Sequence, residues 1–188
     1  MRRHPAPIAL VAISATLLWA VTVAAQGEVP DASPTSAGAK TIEVVGVEYA
    51  FVGLPTAVGT GTQLVFVNTG AEFHELAVGR IDEDSDATLE ELVELGAAAF
   101  TEGTVEILPE GPLVANPAET AQGTLTLMTP GRYLATCLVP QGMVPDILAG
   151  LGVTADMAPA DWPPEAQAIL DNPTHAELGM AQVFTVVP

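Results

Sequence analysis

Short runs of alternating apolar and polar residues, separated by Gly, Pro and Asn, recur along this 188-residue chain and limit what it can fold into. Alternation with a period of two is the pattern of half-buried β-strands, and the residues between the runs favour turns. Seven segments show the pattern: residues 42–47, 49–54, 63–68, 72–81, 123–128, 132–139 and 181–187. About seven strands with turn signals between them predict an all-β sandwich of Greek-key type.

Three finer expectations follow from the same pattern. Segment 72–81 should pair with 63–68 as a hairpin across residues 69–71. Residues 84–100 carry leucines near helical spacing behind a Ser or Asp cap, which predicts a short helix on the rim of the sandwich. Residues 138–174 contain six prolines, too many for strands in a ladder, and therefore form a long insertion before the last strand. Within it, residues 163–170 are expected to make two helical turns.

The first 40 residues differ in character from the rest. Residues 1–25 combine two arginines, an apolar run and a small-residue cleavage pattern, which indicates a signal peptide and export to the cell envelope, the periplasm or the medium. An uncleaved leader would instead tether the protein to a membrane. Residues 26–40 are small, polar and Pro-containing and predict a flexible linker. One domain, residues 41–188, is then expected, and we expect it to be a monomer.

Acidic residues dominate the charge of the chain. Asp and Glu number 23 against five Lys and Arg, for a formal net charge of −18 at pH 7. Nucleic acid is excluded as a partner on this ground, because its binding requires Lys and Arg to neutralise phosphates. The acidity serves either solubility or the attraction of a basic protein partner.

Residues able to bind a soft metal are few. Outside the predicted leader the chain keeps one cysteine, Cys137, and two histidines, His74 and His175. A lone cysteine cannot form an internal disulfide, so Cys137 is either an inert core residue or a functional thiol. Met180 follows His175 by five positions. Each of these residues alone is compatible with core packing or a loop position, but two imidazoles, a thiolate and a thioether together are the donor set of a type 1 copper site.

The chain resembles the cupredoxin family, the plastocyanin and pseudoazurin type of blue copper protein, over about residues 41–188. The likeness is carried by three motifs: Asn68-Thr69-Gly70-x-x-x-His74, Pro130-Gly131-Arg132-Tyr133-x-x-x-Cys137 and His175-x-x-x-Gly179-Met180. The resemblance implies a cupredoxin fold, one type 1 copper held by His74, Cys137, His175 and Met180, and a role in electron transfer with a redox partner protein. It also implies that electrons leave through the second histidine, within an apolar surface patch.

Two features depart from the family pattern. Cys137 and His175 are separated by residues 138–174 where the family commonly has only a few residues, and a long loop is not necessarily stiff. Glu75 follows the first histidine, where the family commonly has an Asn that braces the neighbouring loop. We expect the insertion to pack as a lid beside His175 and to select the partner, although its apolar residues are equally compatible with packing onto the sandwich.

Alternative functions are compatible with the same residues. A copper carrier or buffer would use the same ligands, with Met143 and Met157 as added thioethers. A sandwich without metal would serve as an exported interaction module. Enzymatic activity is not expected. Copper oxidases and nitrite reductases need more histidines than this chain has, and nothing marks the oxyanion hole that a cysteine hydrolase requires.

Overall fold

Ten β-strands form in the part of the chain that the structure, a computed structural model, describes, namely residues 40–154 and 156–188. The predicted leader, residues 1–25, and all of the predicted linker except Lys40 lie outside these residues. The strands are β1 (Thr41–Val47), β2 (Ala50–Val52), β3 (Ala57–Gly59), β4 (Thr62–Asn68), β5 (His74–Ile81), β6 (Val105–Ile107), β7 (Leu113–Ala115), β8 (Leu125–Leu127), β9 (Gly131–Thr136) and β10 (Ala181–Val187).

The strands form two sheets. The first has the order β2-β1-β4-β8, and the second has the order β3-β10-β9-β5-β6, with β7 paired to the start of β5. Strand β1 runs parallel to β4, and β10 runs parallel to β3, whereas β9 is antiparallel to both of its neighbours, β5 and β10. The predicted Greek-key β-sandwich is confirmed.

The core lies between the sheets and follows the period-two pattern of the sequence. Every second residue of β4 is buried, and Leu64 and Phe66 have no exposed surface. Leu76 and Val78 of β5 and Phe184 of β10 belong to the same buried cluster from the second sheet. Complete burial of side chains of this size contributes about 1.5–3 kcal/mol each to folding.

The predicted hairpin between residues 63–68 and 72–81 is wrong. Strand β4 pairs with β1 and β8 in the first sheet, while β5 lies in the second sheet beside β9. Both edges of β4 are occupied, so the chain after Asn68 has no free edge to fold back on. Residues 69–73 therefore cross from one sheet to the other. This crossing places the start of β5 at one end of the sandwich.

Two short helices, rather than the single one predicted for residues 84–100, form here and end one residue beyond that range. Helix α1 (Leu89–Leu95) is followed by α2 (Ala98–Thr101), and the N-cap of α1 is Thr88, which forms a capping box with Glu91. The sequence pattern had placed the cap at Ser85 or Asp86. Leu92 packs with buried residues of β5, β6 and β9 in a second cluster, separate from the main core. Strand β5 is consequently buried on both faces over most of its length.

The insertion has its own short helices. They are α3 (Pro145–Gly150), α4 (Pro164–Gln167) and two 3-10 helices, Pro159–Asp161 and Ala168–Asp171. Helix α4 and the 3-10 helix that follows it match the two helical turns predicted for residues 163–170. Strands β3, β6 and β7 were not predicted, because each has only three residues and no longer alternating segment around it. Across residues 40–154 and 156–188, no helix is long and apolar enough to span a bilayer.

Candidate metal centre

Three of the four predicted ligands meet at one end of the sandwich. The Nδ1 atoms of His74 and His175 are 2.9 Å apart. The sulfur of Cys137 lies 3.4 Å from Nδ1 of His175 and 4.0 Å from Nδ1 of His74. All three side chains are fully buried, and their donor atoms lie within 4.8 Å of one another. Within the described residues, this is the one group of three or more His, Cys, Asp and Glu side chains arranged to hold a metal ion.

The sheet crossing that precedes His74 is shaped by Asn68. Its side-chain amide donates to the carbonyl oxygens of Glu72, at 2.8 Å, and Ala115, at 3.0 Å, while its carbonyl accepts from the Gly70 N–H at 2.9 Å. Gly70 itself packs against the His74 ring, since a Cβ there would lie 2.7 Å from His74 Nε2. The Asn-Thr-Gly motif thus has a structural reason: it aims His74 into the site.

A short hydrogen-bonded neck joins the two ends of the insertion. We call residues 137–141 and 173–176 the neck. The His175 N–H donates to the Val139 carbonyl at 2.8 Å, the Ala176 N–H to the Cys137 carbonyl at 2.8 Å, and the Gln141 N–H to the Pro173 carbonyl at 2.9 Å. The neck holds Cys137 and His175 side by side whatever the length of chain between them. The long ligand loop is therefore closed locally, as a short one would be.

Met180 lies beside Cys137 and His175. It has no exposed surface and belongs to one buried cluster with Cys137 and Val139. Its backbone N–H donates to the His175 carbonyl at 2.8 Å, and its carbonyl accepts from the Cys137 N–H at 3.1 Å. Gly46 leaves room for its side chain, because a Cβ there would approach the Met180 methyl group to 3.2 Å.

Glu75 braces the cysteine from the neighbouring strand. Its N–H donates to the Cys137 sulfur at 3.4 Å, and its carboxylate accepts from the Leu138 N–H at 2.9 Å. Burial raises the pKa of this carboxyl, and the Leu138 N–H lowers it in part. Glu75 stands where the family commonly has Asn, and its side chain still forms a hydrogen bond with the neighbouring loop.

Glu72 is a part of the site that the sequence pattern did not reveal. One of its carboxylate oxygens lies 3.0 Å from Nε2 of His175 and accepts from the Gly142 N–H at 2.6 Å. The other accepts from the Tyr49 hydroxyl at 3.2 Å. The signal that could have found it is the segment Glu72 to Glu75, where two carboxylates flank a candidate ligand.

Burial favours the neutral forms of His74 and Cys137 in the metal-free site. Burial, with the charge of His175 as a smaller cause, lowers the pKa of His74 to about 4. Burial likewise raises the pKa of the Cys137 thiol to about 12. Burial acts to raise the pKa of Glu72 too, but the Gly142 N–H and His175 outweigh it, so this pKa lies below its ordinary value. An ionised Glu72 therefore lies at the edge of a site in which His74 and Cys137 are neutral.

The residues present fit a copper ion. Soft thiolate suits Cu(I), imidazole suits both oxidation states of copper, and a thioether is the usual weak fourth donor. Cys137, His74 and His175 present these donors to one another in a fully buried site, with Met180 packed in the same cluster as the cysteine. The unpartnered Nε2 of His74 is the only buried side-chain polar atom without a hydrogen bond among the described residues.

His175 is not on the surface. The resemblance had implied an exposed second histidine as the exit for electrons, but the His175 side chain has no exposed area. The ring of Tyr49 packs edge-on against it, with 5.3 Å between ring centroids, and Glu72 covers Nε2. The first turn of the insertion lies near this side, where the Phe73 N–H donates to the Met143 carbonyl at 2.9 Å.

Comparisons with known proteins return solved structures only. No family model matches the chain, and no curated protein matches it. Similar solved structures include a dithionite-reduced auracyanin from Roseiflexus castenholzii, with 22% identity, coverage of 80% of this chain and 100% of that one, and a TM-score of 0.42. Auracyanin A of Chloroflexus aurantiacus, described as a "blue" copper protein, shows 20% identity, 80% and 100% coverage and a TM-score of 0.40.

A multicopper oxidase, McoA of Aquifex aeolicus, is also similar, with 12% identity and a TM-score of 0.37. The match covers 85% of this chain but 32% of the oxidase.

Proposed function

We propose that this protein binds one type 1 copper ion and transfers single electrons. The observation that supports the proposal most directly is the convergence of the donor atoms of His74, Cys137 and His175 within 4.8 Å in a fully buried site. Two imidazoles and a thiolate with a weak axial thioether are the donor set of electron-transfer copper sites. Met180 supplies the thioether in this proposal.

The residues of the chain prepare the site for this role. Bound copper would supply one-electron chemistry by alternating between Cu(II) and Cu(I). The neck keeps Cys137 and His175 in register, and the crossing shaped by Asn68 keeps His74 opposite them. Ligands held by backbone hydrogen bonds move little when the charge of the site changes. The burial of all three side chains excludes water from the donors.

The test is the visible spectrum of the copper-loaded protein, measured beside its copper content. We expect an intense thiolate-to-copper band at one copper per chain, lost on reduction and restored on oxidation. A loaded protein with bound copper but no such band would contradict type 1 binding. A protein that retains no copper after reconstitution under reducing conditions would instead be the metal-free interaction module.

Copper carriage is the second candidate function. It is favoured by one observation, that Met143 and Met157 line the same cavity, of about 520 Å³, between the insertion and Phe73. Two further thioethers would suit Cu(I). A carrier would take up copper without reversible reduction at the blue site, and it would release Cu(I) to a competing thiolate or thioether acceptor.

Replacing Met180 with leucine should keep the blue band and raise the reduction potential. The substitution conserves volume, so the buried cluster stays packed, and loss of a weak axial donor favours Cu(I) over Cu(II). A tenfold change in the relative affinity for the two oxidation states corresponds to about 59 mV for a one-electron couple, and we expect a shift of that order. Voltammetry measures it. An unchanged potential would remove Met180 from the ligand set.

The insertion is proposed to select the redox partner. Residues 145–171 carry five acids and no Lys or Arg, so a basic partner fits this surface best. Ile147 of α3 is 52% exposed, whereas Leu148 and Trp162 line the cavity and are better assigned to packing. The partner itself, the export of the protein and its monomeric state remain predictions from the sequence.

Shortening the insertion tests this role. Replacing residues 145–171 with a short Gly-Ser linker leaves the neck, Gly142 and Met143 in place, so we expect the blue spectrum to survive. Electron exchange with a basic cytochrome c should slow about tenfold at low salt, because steering by opposite charges is lost. Exchange with a small inorganic oxidant is the control and should not change. Loss of colour would make the insertion a structural support for the ligands, and equal rates with cytochrome c would exclude it from recognition.

A further inference from the structure

The carboxylate of Glu72 collects three hydrogen-bond donors from three separate parts of the chain. They are the His175 ring, the Gly142 N–H at the start of the insertion and the Tyr49 hydroxyl in the turn between β1 and β2. The carboxylate is 12% exposed, and the His175 side chain that it contacts is fully buried. It lies on the side of His175 away from the other ligands, because it contacts Nε2 while Nδ1 faces His74 and Cys137.

This contact determines where a neutral His175 ring carries its proton. A neutral imidazole has one N–H, and an ionised carboxylate can only accept. His175 Nε2, 3.0 Å from Glu72, must therefore carry the proton. Its Nδ1 is left with a free lone pair, which points at His74 and Cys137. That is the form of histidine that binds a metal through Nδ1.

His74 has the opposite form in the metal-free site. Its Nδ1 lies 2.9 Å from the Nδ1 of His175. Two lone pairs would repel at this distance, so one of the two nitrogens must donate, and the proton of His175 is already on Nε2. His74 therefore carries its proton on Nδ1. Its Nε2, which has no hydrogen-bond partner among the described residues, is the bare nitrogen.

We infer that Glu72 is a positioning residue that holds His175 in its metal-binding form before any metal is present, and that His74 alone must change form when metal binds. The inference rests on the proposed copper function. On binding, His74 gives up its Nδ1 proton and takes one on Nε2, and the Cys137 thiol releases its proton to solvent. His175 keeps the same proton on the same atom throughout.

The insertion takes part through its first turn. The Gly142 N–H, at 2.6 Å, fixes the carboxylate oxygen that faces His175. The Tyr49 hydroxyl, which binds the other oxygen, accepts in turn from the side-chain amide of Gln141 at 2.8 Å. Tyr49 has a φ of 60°, in the left-handed region that residues other than glycine seldom occupy. The neck thus holds His175 in two ways. Val139 accepts from the His175 backbone N–H, and Gln141 binds the Tyr49 hydroxyl that in turn binds Glu72.

The experiment uses nitrogen-15 NMR of the histidine rings in the metal-free, reduced, full-length protein, together with Cu(I) affinity from competition with a chelator. In the wild type we expect the proton on Nε2 of His175 and on Nδ1 of His74. With Cu(I) bound, both should carry it on Nε2. A wild type with His175 protonated on Nδ1, or on both nitrogens, would overturn the inference.

Glu72→Gln is the main variant, since it removes the charge with little change in shape. A glutamine has one acceptor oxygen for three donors, so the His175 proton should divide between its two nitrogens. Cu(I) affinity should fall 10-fold to 100-fold, the usual effect of removing a group that orients a metal ligand. Glu119→Gln is the matched control, because Glu119 is an exposed carboxylate bonded to the Asn116 amide, and both readouts should stay at wild-type values.

The outcomes separate this inference from the proposed function. A variant Glu72→Gln with wild-type ring forms and wild-type affinity would show that Glu72 does not position His175. A wild type that binds no copper would contradict the proposed function, while the ring forms of the metal-free protein would still decide the positioning role. Thermal unfolding of the metal-free variants shows whether a loss of affinity comes from loss of the fold.

Discussion

Replacing Cys137 with alanine should abolish the blue band and lower copper affinity by more than the 100-fold that loss of an orienting group can cause. The thiolate is the donor that produces the colour, and among the described residues Cys137 is the single free cysteine. The metal-free variant should still fold, because the substitution removes one sulfur from a cluster of three buried residues, at a cost of about 1–2 kcal/mol. Visible absorption and copper content measure the first effect, and denaturant unfolding measures the second.

Cys137→Ser is the matched variant, since it keeps the size of the side chain and removes only the soft donor. Copper at about 100 times its dissociation constant should stabilise the wild type by about 2.7 kcal/mol and neither variant by a comparable amount. A blue band in either variant would refute the proposed copper site. If both variants failed to fold without metal, the neck would depend on the thiol, contrary to the backbone hydrogen bonds that hold it.

Replacing Asn68 with alanine should destabilise the metal-free protein by roughly 3 kcal/mol. The substitution removes three hydrogen bonds and leaves the buried carbonyl of Ala115 and the Gly70 N–H without their partner. For a domain of this size, that loss corresponds to a fall in melting temperature of roughly 6–12 °C. Copper affinity should fall as well, because the crossing that Asn68 shapes contains Glu72 and leads directly into His74.

Asn116→Ala is the control for this prediction. Asn116 is exposed, and its side-chain amide binds the side chain of Glu119, so its loss should change stability by no more than about 0.5 kcal/mol. Calorimetry of both variants without metal gives the comparison. Equal melting temperatures for Asn68→Ala and the wild type would show that the crossing is held by something other than this side chain.

Much of the fold was predictable because it depends on local patterns. Residues 181–187 form β10 over the predicted range, and β1 and β4 begin one residue before their predicted starts. The crossing after Asn68 was not predictable in the same way. Turn residues indicate that the chain bends or reverses, but they do not indicate which strand of which sheet the next strand will pair with.

The candidate ligands were predictable by their chemistry, since one cysteine, two histidines and a nearby methionine match the donor set of a type 1 copper site. The backbone hydrogen bonds that hold these ligands in place were not predictable. Residues 138–174 suggested a loose ligand loop, and the structure closes that loop at the neck with hydrogen bonds between residues more than thirty positions apart. Such pairing depends on backbone atoms, which leave no trace in the residue types.

The strand pattern, the acidic charge and the inventory of metal donors can all be read from the residues in order, because each depends on the identity and spacing of neighbours along the chain. Three features could be seen only in the folded molecule. They are the burial of His175, the contact of Glu72 with Nε2 of His175, and the 2.9 Å distance between the Nδ1 atoms of His74 and His175. The two atom pairs join segments about a hundred positions apart. They exist because β5, β9 and β10 are neighbours in the second sheet, which brings the start of β5, the end of β9 and the neck to one end of the sandwich.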